Sequence, residues 1–213
     1  WYKKPTKILN KSNPPFYKWF EDGVTNTCYN ALDIHIDQGN GKRTALIYDS
    51  PITGNKDKFT YEELRMKVSK FAGALVNQGV NKGDRVIIYM PMIPEAVIAM
   101  LACARIGAIH SVVFGGFASN ELASRIDDSK AKILITASCG FEPGKTVEYK
   151  PLVDEAVKQA NHKIQKMILF QRNGHDVKLN APKEISWDEA LSNAKETDCT
   201  EMNSNEFAYI LYT

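Results

Sequence analysis

Val86-Ile87-Ile88-Tyr89-Met90 is the stretch on which the fold turns. Every position in it is apolar, so a strand here has both faces covered, as a central strand of a parallel sheet does. Pro94, at a first helical turn, opens a helix over Glu95–Ile106 that Gly107 ends. Ile109–Phe114, Lys132–Thr136 and Met167–Phe170 read as further buried strands. Between them Ser119 is expected to cap a helix running through Asp128, with Leu122 and Ile126 inward. Ala137–Tyr149 reads as a loop. Pro151 opens a helix with Leu152, Val153, Ala156, Val157 and Ala160 on its apolar side. Such alternation predicts an α/β fold: a doubly wound, mostly parallel sheet flanked by helices and wound with right-handed crossovers.

Working upstream, Ala45–Tyr48 reads as a strand, followed by a polar turn and a second strand entry at Phe59. Thr60 and Glu63 have the spacing of a capping box. Leu64, Val68, Phe71, Ala72, Leu75 and Val76 then recur as one helical stripe, closed by Gly79. Residues 1–44 are aromatic and irregular. Pro14-Pro15 bars a helix there, and one short helix fits Tyr29–Asp37. This segment is expected to wrap over a larger body.

Downstream, Gln171–Glu184 reads as a polar connection. Ser186 and Glu189 form a second capping pair before a short helix with Trp187, Ala190 and Leu191. Phe207–Tyr212 reads as a strand, and stopping it at Thr213 leaves an unfinished sheet edge. The chain is therefore expected to be a piece of a longer one.

The 27 basic and 25 acidic side chains nearly cancel and are scattered, so no nucleic-acid face is indicated. No run approaches the length of a membrane helix. Cys28, Cys103, Cys139 and Cys199 lie far apart with no C-x-x-C pair, which argues against a zinc site and a disulfide framework, and for a reducing compartment. His35, His110, His162 and His175 lack ligand spacing, so no metal site is expected.

The sequence has no G-x-x-x-x-G-K-[ST] loop, no G-x-G-x-x-G and no G-x-S-x-G elbow. Two turns carry what chemistry there is. In Phe114-Gly115-Gly116-Phe117, two glycines after a buried strand either let a ligand approach the backbone or serve a tight turn. In Glu142-Pro143-Gly144-Lys145, the ammonium of Lys145 either meets an anion such as phosphate or is simply solvated. Both turns follow strands and should emerge at the same sheet edge.

The run Tyr89-Met90-Pro91-Met92-Ile93-Pro94-Glu95-Ala96, and then Met100 through Phe117, closely resembles the AMP-forming short-chain acyl-CoA synthetases. Asn13-Pro14-Pro15-Phe16, Thr25-Asn26 and Cys28-Tyr29-Asn30 are similar as well. Ser124-Arg125-Ile126-Asp127-Asp128, Glu142–Lys145 and Glu148-Tyr149 look more like the propionyl than the acetyl branch. Tyr209-Ile210-Leu211-Tyr212-Thr213 is similar to the strand that leads into that family's phosphate loop.

The resemblance implies a two-step ligase. A short carboxylate, propionate or acetate, attacks ATP's α-phosphate to give an acyl-adenylate and pyrophosphate, and the coenzyme A thiol then displaces AMP. Residues 1–44 would be the N-terminal segment and 45–213 the first α/β subdomain of the AMP-binding domain. Catalytic residues, the Mg²⁺ ligand and the ATP site would lie past Thr213, leaving none here. The resemblance places coenzyme A contacts at Phe114, Gly115 and Gly116 and at Glu142, Pro143, Gly144 and Lys145. Acetyl-CoA synthetases carry two arginines where this chain has Glu142 and Lys145, so one cation is lost and Lys145 is the stronger candidate. Small-molecule substrates only, no tightly bound cofactor and an intracellular setting (cytoplasm or mitochondrial matrix) are further expectations. A stand-alone coenzyme A or nucleotide-binding module, or an inactive structural remnant, are the competing readings.

Overall fold

The computed structural model describes residues 1–212. In chain order its strands are β1 (Leu9–Asn10), β2 (Lys18–Trp19), β3 (Val24–Thr25), β4 (Thr44–Asp49), β5 (Lys56–Thr60), β6 (Arg85–Met90), β7 (Ile109–Phe114), β8 (Ile133–Ala137), β9 (Cys139–Glu142), β10 (Lys145–Glu148), β11 (Lys166–Phe170), β12 (Glu184–Ser186), β13 (Met202–Asn203) and β14 (Tyr209–Ile210). Its helices are α1 (Ile34–Asp37), entered through a wide turn at Tyr29–Asp33, α2 (Tyr61–Asn77), α3 (Pro94–Arg105), α4 (Ser119–Ser129), α5 (Tyr149–Gln159) and α6 (Trp187–Ser192).

The body is a six-stranded sheet in the order β12-β11-β8-β6-β7-β14, parallel at every pairing. The chain steps from β6 to β7 on one side, then back past β6 to β8 and outward to β11. A right-handed crossover that reverses direction along the sheet must place its helix on the opposite face. Accordingly α2 packs with α3 and α6, while α4 packs with α5. The all-apolar β6 sits centrally, with Val86, Ile87, Ile88 and Tyr89 fully buried, as its composition requires.

Local signals explain most element ends. Thr60 accepts from the Glu63 N–H while Glu63 accepts from the Thr60 N–H, a complete capping box for α2. Such a cap contributes about 1 kcal/mol. Leu64, Val68, Phe71, Ala72 and Leu75 are buried as the stripe predicts, and Phe71 stacks flat on Trp187 of α6 at 3.7 Å. Val76 departs from the stripe: it is exposed near the end of α2, while Leu75 beside it stays fully buried.

Other expectations are corrected. Ser119 is the first helical residue of α4 rather than its cap; Ala118 occupies that position without a side-chain bond. The helix expected to open at Pro151 begins two residues earlier, at Tyr149. Ser186 accepts from the Glu189 N–H, but the reciprocal bond of a capping box is absent. The expected loop over Ala137–Tyr149 is the antiparallel β9–β10 hairpin. β7 is not buried on both faces: Val112 and Phe114 are exposed, since its outer neighbour β14 is only two residues long. The strand expected over Phe207–Tyr212 is likewise confined to Tyr209–Ile210, and Thr213 lies outside the described residues.

The N-terminal segment wraps as expected. β3 pairs with β13 near the other end of the chain, and Asn26 donates to the carbonyls of Ala104, Arg105 and Thr200.

Candidate functional site

Parallel strands send all their carboxyl ends to one edge of the sheet, and a crevice opens where successive crossovers diverge. Here that switch point lies around β6, between β7 and β8, the place where open α/β sheets receive ligands. The turn after β7, the β9–β10 hairpin after β8 and the segment after β11 all reach it.

Tyr89, on β6, locks the turn after β7. Its hydroxyl donates to the Phe117 carbonyl at 2.8 Å and accepts from the Gly116 N–H at 3.0 Å. Gly116 holds φ at +97°, a conformation that L side chains rarely adopt. At Gly115 the constraint is space: a Cβ would stand 2.5 Å from the Tyr149 hydroxyl and 2.9 Å from the Met90 carbonyl oxygen. Tyr149, the first residue of α5, also lies against Gly140, so one buried ring seats both turns. Burial pushes its hydroxyl pKa up to about 12, helped by nearby Tyr89 and Glu142, so it stays protonated. Phe114 leaves the turn exposed, tilted against Phe117 with ring centroids 5.8 Å apart.

The hairpin closes through Pro143-Gly144. Proline at the first central position and glycine at the second, with φ +75°, suit a type II turn, which accounts for both residues. Glu142 and Lys145 flank it as direct strand partners and form an ion pair at 2.9 Å. Both are well exposed, so the pair is worth about 0–1 kcal/mol and leaves Lys145 free to exchange partners. Glu142 also approaches the other turn, its Oε1 standing 3.9 Å from where a Gly116 Cβ would be. The two turns singled out in the sequence are therefore neighbours on one edge. Phe114, Gly115 and Glu142 line a cavity of about 280 Å³; Glu142, Gly144 and Lys145 line an adjoining one of about 960 Å³. Gly116 and Pro143 line neither.

Sequence reading passes over Arg172, which falls in the polar connection after Phe170. It is only 9% exposed and lines both cavities, and its guanidinium lies over the Phe141 ring at 4.4 Å. Its backbone N–H donates to the Ser138 hydroxyl at 2.9 Å. Among the described residues its guanidinium has no ion pair and no side-chain hydrogen bond, and its nitrogens are not sealed from water, so a largely covered side chain turns a solvent-touching cation to the crevice. A position two residues beyond a buried parallel strand was the signal that could have found it. Lys67 adds a third cation to the larger cavity, opposed by Asp57, Glu142 and the half-buried Glu95. Burial raises the Glu95 carboxyl pKa, against the pull of Lys67 and Arg172, which weakens its competition for them.

Metal chemistry finds no ligand set at this edge among the described residues. The three-membered group of such side chains that does come together, Cys28, Asp33 and Cys199, lies elsewhere, and the Arg105 guanidinium pairs with its carboxylate. No residue here is assigned to magnesium.

Fold and crevice define an α/β protein with an open crevice at a topological switch point. Residues 35–213 match the family model of the AMP-binding enzymes, and residues 1–31 match that of the acetyl-coenzyme A synthetase N-terminus. The chain belongs to the AMP-binding enzyme family. It is 53% identical over its whole length to the human acyl-CoA synthetase short-chain family member 3, mitochondrial, and covers 31% of that protein. It is 48% identical, again over its whole length, to acetyl-coenzyme A synthetase of Streptomyces coelicolor, covering 33% of it. Among solved structures, acetoacetyl-CoA synthetase from Streptomyces lividans superposes with a TM-score of 0.85 at 23% identity, over 99% of this chain and 31% of that one. The chain thus spans about a third of the length of the relatives it matches.

Proposed function

We propose that this chain is the first part of an ATP-dependent short-chain carboxylate–CoA ligase and that its crevice receives the nucleotide end of coenzyme A. In this reading residues 1–44 are an N-terminal wrap and 45–213 the first α/β subdomain of the AMP-binding domain. The observation that carries it is the meeting of the Phe114–Gly116 turn, the Glu142–Lys145 turn and Arg172 at the carboxyl ends of the strands.

Phe114 offers an exposed ring to the adenine, Gly115 presents its backbone to the ligand where it lines the smaller cavity, and Gly116 gives the turn its shape. Lys145 exchanges Glu142 for a phosphate, and Arg172 supplies the cation that Glu142 does not. Pro143 and Gly144 hold the turn that presents Lys145. The complete protein would bring ATP and a short acid together to form the acyl-adenylate, releasing pyrophosphate, and the coenzyme A thiol would then displace AMP.

Propionate is the proposed acid, because the Ser124–Asp128 and Glu142–Lys145 stretches resemble the propionyl branch. An intracellular setting is proposed too; the human relative's name places that protein in mitochondria. No helix of the described residues is long and apolar enough to cross a membrane.

Pyrophosphate exchange and thioester formation by the complete protein with acetate, propionate and butyrate test this. Propionate should give the highest kcat/KM, and the 213-residue chain alone should form no thioester. Exchange with none of the three acids would overturn the reading.

A further inference from the structure

Two cysteines separated by most of the chain meet beneath the far side of the molecule. Cys28 opens the turn into α1, and Cys199 lies in the extended tail that leads to β13. Their sulfurs lie within 4.8 Å of one another, against about 2.05 Å for an S–S bond. Arg105, at the end of α3, is 1% exposed and organises the group. Its Nη1 donates to Cys28 Sγ at 3.5 Å and to Asp33 Oδ2 at 2.8 Å; Nη2 donates to Asp33 Oδ1 at 2.9 Å, and Nε to the Thr197 carbonyl at 2.5 Å. Cys199 Sγ lies 3.7 Å from Asp33 Oδ2.

The AMP-binding reading makes no use of this group. We propose that Cys28 and Cys199 are a redox modification site, at which hydrogen peroxide closes an intramolecular disulfide between the N-terminal segment and the C-terminal tail.

A thiolate, not a thiol, attacks peroxide, and a guanidinium beside the sulfur favours it. The neighbouring Cys199 thiol and then the Arg105 guanidinium hold Cys28 below the usual thiol range. Cys199, the half-buried member, donates its thiol hydrogen to Asp33 Oδ2, and its nearness to Cys28 and then burial hold its pKa above that range. The Cys28 thiolate attacks a peroxide oxygen: an S–O bond forms, O–O breaks, and hydroxide leaves and takes up a proton as water. Cys199 sulfur then attacks the sulfenic sulfur; S–S forms, S–O breaks, and a second water carries away the Cys199 proton. Two thiols are oxidised and one peroxide is reduced, with no other reactant.

Cys103 and Cys139 are internal controls. Like Cys28 both are fully buried, but burial pushes both their pKa values up, that of Cys103 to about 12, and among the described residues neither has a cysteine partner or a guanidinium donating to its sulfur.

The chain is treated with equimolar peroxide, unfolded in alkylating agent and digested for mass spectrometry. The expected result is a Cys28–Cys199 cross-linked peptide from the monomer, with Cys103 and Cys139 alkylated in full. The C199S variant should instead leave Cys28 as a sulfenic acid that dimedone traps. R105Q should slow the peroxide reaction about tenfold, the loss expected when a stabilising cation is removed; if it fails to fold, C199S with dimedone decides the matter. Four reduced thiols, a cross-link between two chains, or equal oxidation of Cys103 would overturn the proposal.

Discussion

Gly115 shows how one missing side chain shapes the crevice. A methyl group there would meet the Tyr149 hydroxyl at 2.5 Å, its Cε2 at 2.9 Å and the Met90 backbone at 2.9 Å. Tyr149 is buried between the two turns, and backbone cannot retreat as a flexible side chain can. Gly115→Ala should therefore destabilise by about 1–3 kcal/mol, the usual cost of overpacking. Urea denaturation checks it, and adding Tyr149→Phe should recover part of the loss by removing the nearest atom. A neutral Gly115→Ala would mean that the turn is looser than this packing. The same scale shows why Lys145 and Arg172 differ. Lys145 is an exposed point charge already paired with Glu142, whereas Arg172 is buried, stacked on Phe141 and unpaired among the described residues.

Among the elements, β7 carries the most information, because it serves the core and the open crevice at once. His110, near its start, stacks on Tyr209 of β14, and its buried Nδ1 has no hydrogen-bond partner among the described residues. Burial lowers its pKa from 6.5 to about 4. Between those values the unfolded chain binds a proton that the folded chain refuses. Its contribution is therefore complete above pH 6.5 and lost as the pH falls toward 4, up to about 3 kcal/mol. Denaturation midpoints at pH 7 and pH 4.5 should show this fall, and His110→Gln should flatten it; an unchanged slope in the variant would contradict the assignment. Ile109–Phe114 read as a buried strand throughout, Val112 and Phe114 included, because apolarity alone does not reveal that β14 spans two residues. The hairpin at Cys139–Glu148 was hidden for another reason. Gly140, Pro143 and Gly144 break the strand pattern, while the pairing that makes them a hairpin is held by Tyr149 in the next helix. By contrast β6, β8 and β11 were legible outright, since burial on both faces demands unbroken apolar runs.

Across the whole molecule, the contacts invisible in sequence are those between distant segments. Arg105 joins the N-terminal turn, α3 and the tail through Asp33, Cys28 and Thr197, a node that no local spacing announces. Arg172 joins the crevice for a similar reason: all the parallel strands end at one edge, so a residue after β11 meets turns that follow β7 and β8. The two turns were found from their glycines and charges, but Arg172 sat in a tract with no pattern. The most direct test of the central claim separates the two half-reactions in the complete protein. Pyrophosphate exchange needs no coenzyme A and reports that the fold and adenylation are intact. Arg172→Met and Lys145→Met should leave exchange unchanged while raising KM for coenzyme A about tenfold or more, the worth of a lost charge-assisted bond. An unaltered KM for coenzyme A in both variants would contradict the placement of its phosphates in this crevice.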